Sequence, residues 1–295
     1  DVTVLVHALR AGRLARQCKG PFVLLLSGTD VNCILSNRSA AVTHDDVELV
    51  LYAVQHAAAV VAFNVAAVSV VADFVADQRG EGCAVPPVAV VPQAVSTSAE
   101  GSPPSNMRAT VGLPPDAQTL LLVCGLRAVK DPLFVLDAVA AWHTRDPSVH
   151  LVIVGPRLNA EVADAVGAAV AASPGLWLVA PRPRGELLQW VAQADVALNT
   201  SVSEGMCGSL MEAMAVGTPV VARSNPGNAA LIDHGVTGYL FDTADDCVAR
   251  CEELLAHAGL RARVGDAGAR HVKAHHSVEA EAAAWMTILA DATCR

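Results

Sequence analysis

Short apolar runs rich in Val, Leu and Ile alternate with longer Ala-rich stretches of helical period over most of the 295 residues. That alternation confines the chain to a doubly wound α/β architecture. A strand that is apolar throughout needs cover on both faces, and helical connections between parallel strands supply it. The pattern predicts nine strands, at 2–6, 22–26, 58–63, 88–91, 120–124, 150–154, 176–179, 195–199 and 219–222. From residue 92 to 116 the sequence turns to Ser, Thr, Pro and Gly and loses its apolar period, as a linker does. The expected organisation is one Rossmann-like domain at 1–98, a linker at 99–117 and a second Rossmann-like domain at 118–295. The second ends in a helix over 272–292, with Trp285, Ile288 and Leu289 as packing residues. In such sheets ligands sit beyond the carboxyl ends of the strands.

Charge narrows the function classes. Lys and Arg total 20 against 29 Asp and Glu, a formal charge of -9, so there is no general attraction to nucleic acid or anionic lipid. The most membrane-like stretch, 57–76, is interrupted by Asn64, Ser69 and Asp73, and reads as strand then helix rather than a span. Eight cysteines are scattered without a CxxC pair, and Cys247 and Cys251 stand one helical turn apart, which suits reduced thiols and a cytoplasmic location. The chain starts at Asp1, so a leader is not judged from it. His271 and His275, beside His276, read as an exposed polar face rather than a metal site. The chain has no GxxxxGK[ST] loop, no GxSxG elbow, and no GxGxxG spacing at the strand-ending Gly125 and Gly155.

The most informative segment runs from 199 to 241, NTSVSEGMCGSLMEAMAVGTPVVARSNPGNAALIDHGVTGYLF. A strand ends near Asn199, a Ser/Gly-rich turn carries Glu204, and a helix runs from Gly208 to a stop at Gly217 with Glu212 one turn in. The start of that helix offers unpaired N–H groups and the positive end of a dipole, a seat for phosphate. A carboxylate at Glu212 is suited to accept hydrogen bonds from neutral hydroxyls, as on a ribose or hexose. Phosphate seat plus hydroxyl acceptor describes a sugar nucleotide. A second cluster, GLRAVKDPL after the strand at 120–124, places Arg127 and Lys130 in a loop at a strand's carboxyl end before Pro132. The two cations fit a diphosphate clamp, each charged hydrogen bond contributing roughly 1.5–3 kcal/mol. They fit two solvated loop cations equally well.

Glu204 and Glu212 at their spacing, with AMAVGTPVVA, PGN and VTGYLF after them, resemble the retaining glycosyltransferases of family 4, which have the two-domain GT-B fold. GTDVN at 28–32, RAVKDP at 127–132 and PGNAAL at 226–231 are most similar to the glycosyltransferase 1 domain-containing protein group. The resemblance implies that Arg127 and Lys130 bind the donor diphosphate, Glu212 the nucleotide ribose, and Glu204 the donor sugar. It also implies that the backbone of Gly205, Met206, Cys207, Gly208 and Ser209 cradles sugar and phosphate. Many members have Gly-Phe-Gly after the first Glu where this chain has Gly205, Met206 and Cys207, and Cys207 reads as a small loop residue rather than a nucleophile.

In the first domain, His7 ends the strand VTVLV and Asp30 lies in SGTD, positions where the family often has a His and an Asp near the transferred sugar. A structural hydrogen bond for His7 and a turn or cap for Asp30 are the alternatives. This acceptor-side domain looks shortened, since the family's usual opening strand, glycine-rich loop and helix do not precede Val2. The implied activity is transfer of a sugar from a nucleoside diphosphate sugar to an unknown acceptor, with retention and with no metal or other cofactor. A sugar-nucleotide epimerase on the same fold and a weakly catalytic nucleotide-sugar-binding protein are the rival readings.

Overall fold

The computed structural model describes residues 1–26, 43–80, 86–98 and 101–294. Asp30 and the GTDVN motif lie outside the described residues. By its internal contacts the chain forms two compact units. The first holds Asp1–Ala94, Ser203–Met206 and His275–Arg295, and the second holds Val95–Val202 and Cys207–Ala274.

In the first unit, strands β1 (Thr3–Val6), β2 (Phe22–Leu25), β3 (Ala59–Ala62) and β4 (Val88–Val90) pair in parallel in that order. Period-two alternation divides β2 and β3 between two helical layers, while on β1 the face opposite Leu5 is exposed at Val4 and Val6. Phe22, Leu24 and Val60 face a core built with helices α1 (Ala8–Ala15), α2 (His44–His56) and α3 (Ala66–Arg79). Val23 and Val61 face the opposite way. The capping box of Thr43 and Asp46 opens α2. Helix α1 crosses α2 closely at Gly12, where a Cβ would sit 2.9 Å from the Leu49 carbonyl. The apolar stretch at 57–76 contributes β3 and α3, as its polar interruptions suggest, and among the described residues no helix is long and apolar enough to cross a membrane.

The second unit is a six-stranded parallel sheet of order β10-β9-β8-β5-β6-β7. Its strands are β5 (Gln118–Val123), β6 (Val149–Val154), β7 (Leu176–Val179), β8 (Val196–Asn199), β9 (Val220–Arg223) and β10 (Tyr239–Phe241). Every residue of β6 and β8 is buried, which is why these strands read as apolar runs, interrupted only by His150 and the terminal Asn199. The connecting helices are α4 (Met107–Val111), α5 (Leu136–Arg145), α6 (Ala160–Ala172), α7 (Arg184–Gln193), α8 (Gly208–Ala215), α9 (Pro226–Leu231), α10 (Ala244–Ala256) and α11 (Ala258–His275). The chain winds from β5 through β6 to β7, then crosses to the other side of β5 for β8, β9 and β10. The carboxyl ends of β5 and β8 are therefore a topological switch point, where doubly wound sheets place their ligands.

All nine expected strands form. The tenth, β10, is only three residues long, too short for a period to show. The helix expected over 272–292 is two helices. It breaks at Ser277, whose hydroxyl caps α12 (Val278–Thr293) by accepting from the Ala280 N–H at 3.1 Å. Helix α12 packs on the first sheet rather than the second, with Trp285, Ile288, Leu289 and Ala292 against Val23, Val61 and Val91. Residue His276, between the two helices, is buried and bonded through Nδ1 to the Gln93 carbonyl at 2.8 Å.

Candidate nucleotide-sugar site

At the switch point the loop after β5 is stitched to the turn after β8. The Thr200 hydroxyl donates to the Lys130 carbonyl at 2.8 Å and the Val202 N–H to the Val129 carbonyl at 3.0 Å. This fixes the short 3-10 turn Ala128–Lys130, which carries Lys130 and follows Arg127; Arg127 is exposed and Lys130 half-buried. The neighbouring ends of β5 and β6 are held close by Gly155, where a Cβ would fall 1.8 Å from the Cys124 carbonyl oxygen.

The turn closes on Asp131, which adopts a left-handed conformation with φ 40° and ψ 55°. Arg223, the last residue of β9, holds it. Its Nη1 donates to Asp131 Oδ2 at 2.8 Å while its guanidinium lies 3.9 Å from the centre of the Phe134 ring. Non-glycine residues in this region of backbone space are uncommon and concentrate at sites where the surroundings over-determine them. Among the described residues only His7 (φ 72°) and Asp131 are of this kind. Both follow the carboxyl ends of parallel strands, at two places where the sequence suggests ligand chemistry.

The turn from β8 to α8 is organised by buried amides. Asn199 Oδ1 accepts from the Ser201 N–H at 3.0 Å and from Asn228 Nδ2 at 2.9 Å, and Asn199 Nδ2 donates to Cys207 Sγ at 3.1 Å. Cys207 Sγ is also 3.3 Å from Ser209 Oγ. Cys207 thus sits in a hydrogen-bonded network at the residue before α8, 3% exposed. Its role there is to link strand end to helix start. Ser201 Oγ and Asn228 Oδ1 are buried without a partner among the described residues, so this network ends on two oxygens with bonding capacity to spare.

Glu204 is buried, and its segment, Ser203–Met206, belongs by its contacts to the first unit. There Asn64, after β3, donates through Nδ2 to the Gly205 carbonyl at 2.8 Å, while its Oδ1 accepts the Ala67 N–H at the start of α3. Glu212 lies on α8, as the sequence places it. Its Oε1 accepts from Arg184 Nε at 3.1 Å and from Nη2 at 2.7 Å, and Arg184 Nη2 also donates to the Ser96 carbonyl. His7 stands at the start of α1 in the first unit, where its Nδ1 accepts weakly from the Arg10 N–H at 3.4 Å.

Of the segments that the sequence singles out, the structure ties the loop of Arg127 and Lys130 to Thr200 and Val202, which precede the turn 204–209 in the chain. Sequence reasoning missed Arg184, Arg223, Asn64 and the buried asparagines. Arg184 did carry a signal. It is the first residue of α7, where the helix dipole disfavours a cation, so a nearby anion was to be sought.

Residues 117–257 match the model of the family Glycosyl transferases group 1. Among curated proteins, the chain is 35% identical to glycosyltransferase 1 domain-containing protein 1 of Xenopus tropicalis, over 57% of this chain and 49% of that protein. It is 31% identical to a D-inositol 3-phosphate glycosyltransferase of Thermobispora bispora, over 58% and 42% respectively. The chain thus spans about half the length of the curated relatives it matches. Among solved structures, Anabaena Alr3699/HepE in complex with UDP-glucose superposes with a TM-score of 0.79 at 18% identity, over 97% of this chain and 78% of that one. The fold is that of GT-B proteins, and residues 117–257 are similar to the Glycosyl transferases group 1 domain.

Proposed function

We propose that the chain is a family 4 glycosyltransferase that takes a nucleoside diphosphate sugar on its second unit and transfers the sugar to an acceptor with retention, without a metal or other cofactor. The observation that carries this reading is the joining of the cation-bearing loop 127–131 to the turn 200–202 at the switch point, directly before the start of α8. Transfer builds negative charge on the departing diphosphate. Arg127, Lys130 and the N–H groups opening α8 at Gly208 and Ser209 are assigned to that charge. Glu212 is assigned to the ribose hydroxyls, and Glu204 with the backbone of Gly205, Met206 and Cys207 to the donor sugar. His7 and Asp30 are assigned to the transferred sugar by resemblance. Reported complexes of a fold neighbour with UDP-glucose and with UDP support a nucleotide-sugar donor.

Calorimetric titration with UDP-, GDP- and ADP-glucose, with and without EDTA, tests the reading. One nucleotide series binds, chelation leaves its affinity unchanged, and Arg127→Ala weakens the diphosphate by roughly 1.5–3 kcal/mol while sparing the uncharged nucleoside. Loss of binding in EDTA that magnesium restores would overturn the metal-free assignment. Absence of binding by every donor would overturn the site.

A further inference from the structure

We infer that Arg184 is a positioning residue for the ribose-binding carboxylate, an inference that rests on the assignment of Glu212 above. Both Arg184 nitrogens converge on the single oxygen Oε1 of Glu212, at 3.1 and 2.7 Å. A guanidinium facing a carboxylate commonly spreads its two bonds over both oxygens. Here the second oxygen is left out of the pair, and among the described residues Oε2 accepts no hydrogen bond. Glu212 is therefore held by one oxygen and presents the other. That is the arrangement a carboxylate needs if it is to accept from a vicinal diol without first breaking an ion pair.

Burial and placement point the same way. The Glu212 side chain is 19% exposed and that of Arg184 is 51% exposed, so the carboxylate is enclosed and the cation reaches it from the solvent side. Arg184 opens α7, where the helix dipole opposes its charge, so its place there depends on its anionic partner. The same guanidinium grips the Ser96 carbonyl, tying the chain that precedes the second sheet to α7 and α8. Arg184 thus sets the carboxylate's direction, and with it the discrimination between ribose and a sugar lacking hydroxyls.

The test uses whichever of UDP, GDP and ADP binds the wild type most tightly, together with its 2′,3′-dideoxy form, titrated by calorimetry into wild type, Glu212→Gln, Arg184→Met, Arg184→Lys and the double variant. Arg184→Met is expected to weaken the ribonucleotide about tenfold and the dideoxy form less than about twofold. Arg184→Lys, which keeps the charge, restores part of the loss, and the double variant binds no worse than Glu212→Gln. A Glu212→Gln variant that keeps the wild-type ratio of ribo to dideoxy affinity would sink the ribose assignment itself. If Glu212→Gln lowers that ratio while Arg184→Met leaves it unchanged, the assignment stands and the role of Arg184 falls. Equal weakening of both ligands by Arg184→Met would make Arg184 merely structural, and tighter ribonucleotide binding would make it a competitor for the carboxylate. If Arg184→Met fails to fold, the Arg184→Lys ratio decides: a ratio below that of the wild type supports positioning by the two guanidinium bonds, and a wild-type ratio overturns it.

Discussion

Replacing Arg223 by Met separates the conformation of the cation-bearing loop from its charge, because Met keeps much of the apolar stem and removes only the guanidinium. Three interactions disappear, the weakest a 3.4 Å hydrogen bond from Nη1 to the Thr200 carbonyl. The ion pair to Asp131 spans 2.8 Å between side chains 22% and 32% exposed; exposed pairs contribute at most about 1 kcal/mol, and the partial enclosure places this one near that limit. The guanidinium over Phe134, 3.9 Å from the ring centre, contributes about 1 kcal/mol more. The expected loss is about 2 kcal/mol in urea unfolding of the second unit. Without its partner, Asp131 is no longer compensated in its left-handed conformation, so part of the folded population leaves the competent loop. Nucleoside diphosphate affinity then falls by the fraction lost, about tenfold for a shift of 1.4 kcal/mol, while the uncharged nucleoside is spared. Asp131→Asn tolerates the same backbone, removes the charge, and should cost about half as much. If Arg223→Met unfolds at the wild-type urea midpoint and binds the diphosphate with wild-type affinity, the guanidinium does not hold the loop.

Three further outcomes are expected. Asp195 accepts from Arg108 Nη2 and the Thr119 N–H, both at 2.9 Å, and from the Thr119 hydroxyl at 3.1 Å, so Asp195→Ala removes the acceptor of three donors, two of them on the buried Thr119, and should lower unfolding free energy by about 2–3 kcal/mol in urea. Gly155→Ala has no relief, since its Cβ meets backbone rather than a flexible side chain; a loss of more than about 3 kcal/mol, or failure to accumulate as soluble protein, is expected in expression and melting assays. Burial, with a smaller contribution from neighbouring His143, lowers the pKa of His150, and burial also lowers that of His276, where the Gln93 carbonyl opposes the shift. With the folded pKa depressed, the unfolded chain takes up the proton first. Stability is complete above the ordinary value of 6.5 and declines as pH falls below it. The melting midpoint should therefore drop between about pH 7.5 and 5.5, and His150→Gln should flatten part of that slope; a wild-type midpoint constant over this range would refute the assignment.

Most of the sheet architecture is legible in the sequence because a parallel strand buried on both faces has little choice but to be largely apolar, as β6 is at every position but His150. Tyr239–Phe241 escapes because three residues at the edge of a sheet carry no period. The destination of α12 escapes for a different reason. Its apolar residues announce a helix with a face to bury, and no local pattern says that the waiting surface is Val23, Val61 and Val91 of the other sheet.

The candidate site divides along the same line. Glu204, Glu212, Arg127 and Lys130 are visible because each lies within a few residues of a strand end or helix start that the local pattern predicts. Arg184 and Arg223 take their meaning from carboxylates 28 and 92 residues away, brought close only once strand order is fixed. Strand order at a switch point follows from which way the chain crosses, and that crossing leaves no mark on local composition. What a sequence does preserve is the local electrostatic cost. A cation opening a helix, like Arg184, sits where its own helix repels it, and such a residue points to an anion elsewhere in the fold before the fold is known.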